Sequence, residues 1–149
     1  MKFFLSVIIG LILFSCAPDV CNTSTYWDAK VNFYTLSSKS ADSTIALDTL
    51  DVWGVDKGYL YDTALNYKGV SLPLQLSKDT TRYVLAKKMI YDTLTLVHTN
   101  VPVYISKACG YGTKQTLQAV WSTNHLIKSV VVKNNSIEKN VSENIKIYY

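Results

Sequence analysis

Apolar residues recur at every second position along most of this chain. No stretch after residue 25 sustains an i, i+3, i+4, i+7 apolar face over three turns. A period of two sends successive side chains to opposite faces of a strand, so the chain is committed to sheets with one buried face. Val31 and Phe33 alternate with Lys30 and Asn32, and Leu72, Leu74 and Leu76 alternate around Pro73, which points to a sheet edge or bulge. Residues 45–55 read as one strand, and 82–87, 93–99, 101–106, 116–121 and 127–133 read as others. Ile145 and Ile147 close the chain in a last strand. Asp56-Lys57-Gly58, Gly110-Tyr111-Gly112 and Asn134-Asn135-Ser136 are turn or loop signals between them. Pro102, without an N–H, favours a strand start or an edge. About seven to nine short antiparallel strands at this spacing predict an all-β chain, a β-sandwich of immunoglobulin-like or related Greek-key type.

The amino end follows another logic. Met1-Lys2 is a short positive start, Phe3 to Phe14 is almost wholly apolar, and Ser15 precedes Cys16. That order describes a secretory leader cut ahead of a cysteine that receives acyl chains. The apolar run is too short for a spanning helix, which needs about 20 residues. The expected organisation is a leader over 1–15, a lipidated tether over 16–25 and one domain over 26–149. Two or three acyl chains on Cys16 would hold the product on a membrane, whereas a single chain binds only marginally.

An exported chain meets an oxidising compartment, where disulfides persist. With Cys16 acylated, Cys21 and Cys109 remain. Pairing them would close a loop of about ninety residues, for which chain entropy assigns roughly 4 kcal/mol. Two free thiols are the alternative. Losing Lys2 with the leader lowers the basic count from 15 to 14 against 11 acidic residues, so the net charge falls from +4 to +3. The lysines are scattered, with Lys87-Lys88 the one adjacent pair, which excludes a nucleic-acid footprint.

Motifs for chemistry are few. His98 and His125 lack partners at zinc spacing, so no metal is expected, and each reads as a surface or internally satisfied residue. There is no Gly-x-Ser-x-Gly elbow and no glycine-rich phosphate loop, so neither an enzyme nor a cofactor is expected. Five aspartates precede Ser or Thr and then a small or aliphatic residue, which resembles an acceptor for O-linked glycosylation at Ser43, Thr49, Thr63, Thr80 and Thr93. Asp-Ser and Asp-Thr pairs are equally common where short side chains bond the local backbone. Asp48 and Asp92 fall inside predicted strands. Tyr59 and Tyr61, two apart on an extended segment, would present both rings on one side as a ligand contact, or simply fill a sheet face.

The chain resembles a family of small Bacteroidota lipoproteins of uncharacterised function. The matching pieces are the lipobox cysteine, Cys21, Leu72-Pro73-Leu74, residues 92–96, residues 104–110 with their Ser-x-Ala-Cys-Gly run, residues 124–132 and residues 144–148. The resemblance implies an all-β lipoprotein domain with a cysteine near each of two positions, and it implies no activity. Ala17 after Cys16 resembles the pattern that sorts to the outer membrane, and the periplasmic face is the expected side. The expected role is an accessory or interaction module of an envelope protein complex, with an envelope glycan as the alternative ligand. A hydrolase whose site is not visible in the sequence ranks last.

Overall fold

The computed structural model describes residues 20–35, 42–64 and 66–149. The leader, Cys16 and the first residues of the tether lie outside the described residues. Eleven strands and no helix are present among those described. They are β1 (Ala29–Thr35), β2 (Ser43–Thr44), β3 (Leu50–Gly54), β4 (Tyr59–Ala64), β5 (Gly69–Leu72) and β6 (Thr80–Lys87). Then follow β7 (Ile90–Ser106), β8 (Gly110–Ser122), β9 (Ser129–Val132), β10 (Ser136–Ile137) and β11 (Ile145–Tyr148).

One sheet has the order β2-β1-β11-β9, with β5 sharing the β2 edge of β1: Ala29 to Asn32 pair with β5, and Tyr34 and Thr35 pair with β2. The second sheet has the order β10-β8-β7-β6-β3-β4. Their facing sides form one core, in which Val31, Phe33, Leu72, Ile145 and Ile147 meet Leu50, Val52, Leu85, Leu94 and Leu96. The alternation that predicts these strands is therefore the alternation that builds the core, as a sandwich requires.

Several details depart from the expected short antiparallel strands. β1 and β11 pair in parallel, Val31 beside Ile145, which is possible because nearly the whole chain serves as the crossover between them. Residues 45–55 are not one strand. Leu47 makes an isolated bridge to Tyr67, and the chain bends at Asp48-Thr49, where Thr49 has φ 60° before β3 begins. The segments 93–99 and 101–106 are one strand, β7, of 17 residues. Pro102 is tolerated in its middle because β6 pairs with β7 only as far as Val97, which leaves that edge of β7 without a strand among those described.

The far halves of β7 and β8 therefore extend as an arm beyond the sheet, closed by a turn at Lys107-Ala108-Cys109. Residues 20–28 run along it as a strap. The Thr113 N–H donates to the Thr25 carbonyl at 2.8 Å, and Cys21 is bridged to Cys109 with Cα atoms 4.8 Å apart. Gly112 is required here, since a Cβ would stand 2.7 Å from that same Thr25 oxygen.

Candidate functional site

Exposed aromatic residues gather on the outer face of the larger sheet. Trp53 on β3 pairs with Val84, which pairs with Thr93, so these three form one outward row. Tyr59 and Tyr91 stand edge-on to the Trp53 ring at centroid distances of 5.2 and 6.1 Å. They are 64% and 51% exposed. Three rings held in such contact on a rigid sheet present apolar faces to solvent with little side-chain freedom left to lose.

Tyr61 does not join them. The register of β3 and β4 shifts between Trp53–Tyr59 and Val52–Tyr61, so Leu60 is an extra residue, and the bulge sends the two tyrosines to opposite faces. The Tyr61 hydroxyl accepts the Ser71 N–H at 2.9 Å, and its ring packs edge-on to Tyr67 at 5.4 Å. The expectation that both rings share one side is corrected by that bulge, and Trp53 and Tyr91 take the place of Tyr61 beside Tyr59.

Two buried polar centres were not anticipated. Asp92 lies on the inward register of β7 with Leu94 and is 1% exposed. Its carboxylate accepts the N–H groups of His125, Leu126 and Ile127, the Thr123 hydroxyl and the His125 ring, at 2.7 to 3.1 Å. Burial pushes the Asp92 carboxyl up, but the three backbone donors and the hydroxyl outweigh it and hold the group below the usual range. The carboxylate thus folds residues 123–127 around itself. Among the described residues no hydroxyl or thiol is bonded to the remaining nitrogen of His125.

The second centre lies under residues 75–79, where Asp79, Lys78 and Arg82 rim an open cleft of about 750 Å³. Thr81 Oγ1 accepts the Gln75 N–H and lies 2.9 Å from His98 Nε2. His98 Nδ1 lies 3.1 Å from Asn100 Oδ1, which also accepts from Gln115. Asn100 Nδ2 in turn faces the carbonyls of Gln75, Leu76 and Lys78. With the threonine hydroxyl donating to Nε2, every donor and acceptor in this chain of bonds is matched, and both nitrogens of His98 are occupied. The histidine is a brace for the loop, not a free base.

Burial pushes the His98 imidazole below its usual value, and the Asn100 oxygen and the Asp79 charge oppose this without cancelling it. The unfolded chain therefore takes up a proton near pH 6.5 that the folded chain refuses, so stability is complete above that pH and declines as pH falls below it. Urea midpoints measured between pH 7 and 5 are expected to fall, and the His98→Gln variant is expected to show a flatter profile. Equal slopes for the two would contradict this.

The suggested glycan acceptors are dispersed. Ser43 is exposed on β2. Thr49 stands at the bend with its hydroxyl buried, and no described group is bonded to it. Thr80 donates to Asp79 at 3.1 Å. Thr93 is half-buried in the outward row beside Val84, directly after the occupied Asp92. Thr63 lies on β4, and its side chain is outside the description. No group of three or more His, Cys, Asp or Glu side chains gathers as a metal site among the described residues. Sequence reasoning missed Trp53, Tyr91 and the inward Asp92. For the last, the alternation Tyr91-Asp92-Thr93-Leu94 already placed the acid on the side of Leu94.

Residues 49–149 match DUF6452, a family of unknown function. No curated protein and no solved structure matches the chain.

Proposed function

We propose, from the premise that this chain belongs to the DUF6452 family of unknown function, that it is a lipid-anchored envelope protein that binds a partner rather than transforming a substrate. Cys16 carries the acyl chains, and the domain faces the periplasm from the outer membrane. The observation that carries the binding role is the Trp53–Tyr59–Tyr91 cluster, since tryptophan and tyrosine held rigid on a sheet are the residues that dominate interface energetics. The Cys21–Cys109 bridge supports an oxidising compartment, and a leader ending at Ser15-Cys16 supports the anchor.

Crosslinking in intact cells tests this reading. A stoichiometric protein partner should co-purify with the wild-type chain, and its recovery should fall at least tenfold with Trp53→Ala, the size of loss typical of a central aromatic anchor. Full recovery of that partner with Trp53→Ala and Tyr59→Ala would reject the patch. A second reading, an envelope glycan, is favoured by the same ring faces, which suit the apolar faces of sugars. Saturable binding on a glycan array that disappears with Trp53→Ala would select it.

A further inference from the structure

We propose that the arm formed by the far halves of β7 and β8 is a foot that rests in the membrane interface, with Tyr104 and Tyr111 among the phospholipid headgroups. This rests on acylation of Cys16. Covalent connectivity gives the first argument. Cys21 follows Cys16 by five residues, so even a fully extended chain separates them by no more than about 18 Å. The bridge then fixes Cys109, in the turn that closes the arm, beside Cys21. A disulfide at that place ties the tip of the arm, rather than any other part of the domain, to the anchored end of the chain.

The surface of the tip gives the second argument. Tyr104 and Tyr111 are cross-strand partners with ring centroids 5.7 Å apart, and they are 63% and 73% exposed. On the strap Val20, beside Cys21, and Tyr26, beside Thr25, are exposed, and Lys107 is exposed in the turn. Tyrosine, with an apolar body and a polar hydroxyl, is the residue type enriched where hydrocarbon meets water, and a lysine there faces the anionic headgroups.

Topology gives the third. β6 stops opposite Val97 and β10 stops opposite Gln115. Residues 75–79 still hold His98 and Asn100, and Glu138 reaches Lys114, while the tip beyond them is bonded to the strap at Thr25 and Cys21. A hairpin that outruns its sheet with two exposed tyrosines at its end is unexplained by the core and explained by a lipid surface. The consequence is an orientation. Tyr91 lies on the same strand as Tyr104, thirteen residues earlier, which is about 40 Å along an extended strand. The Trp53–Tyr59–Tyr91 face would then stand clear of the membrane, where a periplasmic partner can reach it.

The test places the photoreactive residue p-benzoylphenylalanine at position 104, 111 or, as a control, 59, in the full chain with its own leader, in growing cells. Each replaces an exposed tyrosine, so the fold is preserved. After irradiation, phospholipid adducts read by intact mass are expected at 104 and 111 at least five times as often as at 59. Equal yields at the three positions in a chain whose Cys16 is acylated would overturn the foot and leave the anchor standing. Protein adducts at 104 and 111 in place of lipid would overturn it too, in favour of a protein contact. An unmodified Cys16 would overturn both readings at once.

Discussion

Replacing Asp92 with asparagine is expected to cost about 3 kcal/mol or more, because each buried donor left without an acceptor costs roughly 1–3 kcal/mol. The carboxylate satisfies three backbone N–H groups and one hydroxyl within the buried seam between β7 and residues 123–127. Asparagine keeps one oxygen and turns an amide N–H₂ toward donors. With Oδ1 retained, the N–H groups of Leu126 and Ile127 lose their partner; with the amide flipped, Thr123 and His125 do. For a domain of this size such a loss corresponds to a fall in Tm of about 10 °C. Asp92 titrates below the usual range in the folded chain, so its contribution is complete above about pH 4 and is lost as pH falls through the folded value. Asp92→Asn should therefore lower stability most near neutrality and little in strong acid. Guanidinium denaturation followed from pH 7 down into strong acid measures both. A loss under 1 kcal/mol at pH 7 would mean that the loop does not depend on this carboxylate.

Asp92 also shows where sequence reading stops. Its neighbours Leu94 and Leu96 announced the strand and the inward face, yet the Asp-Thr-Leu triplet also resembles a modification site, and nothing local separates the two meanings. The distinction lies in residues 123–127, more than thirty positions away, which supply the donors. The core was legible for the opposite reason. Val31, Phe33, Leu72, Leu94, Ile145 and Ile147 alternate with polar residues, and alternation is a local property with one physical solution. Turns were legible near glycine or asparagine, although Gly110-Tyr111-Gly112, read as a loop, opens β8 and the turn beside it is Lys107-Ala108-Cys109. The β6–β7 turn uses Lys88 and Met89 at φ 49° and 64°, and Thr49 adopts φ 60°, none of which carries the usual residue for that conformation. The strand break at Asp48 and the hairpin at Lys88 are set by the pairing around them.

The aromatic face was half legible for a related reason. Tyr59 and Tyr61 stand two apart, and an unbroken strand would align them. The extra residue at Leu60 is a feature of pairing with β3, invisible in β4 alone. Once the bulge is known, the partners of Tyr59 follow from register: Trp53 lies opposite it, and Tyr91 lies diagonally across β6. The sheet thus assembled an exposed patch from three segments, each of which reads as an ordinary strand.

Replacing Cys21 and Cys109 together with serine is expected to lower the stability of the folded domain by about 3–4 kcal/mol. The bridge spans a sequence separation of 88 residues, for which the chain-entropy relation gives an upper value of roughly 4.6 kcal/mol. The native side of the balance decides how much of that is realised. Were the strap to come away from the arm when the bridge is cut, the folded state would gain freedom too, and the loss would shrink. Two contacts hold it independently of the sulfurs: the Thr113 N–H on the Thr25 carbonyl, and Trp27 packed against the core. Most of the entropic term should therefore survive. Denaturation with and without reductant measures the global part, and hydrogen exchange at the Thr113 amide measures the local part. Slow exchange at Thr113 with a loss near 3–4 kcal/mol is the expected pair of results. Fast exchange with a loss under 1 kcal/mol would mean that the bridge alone keeps the strap on the arm.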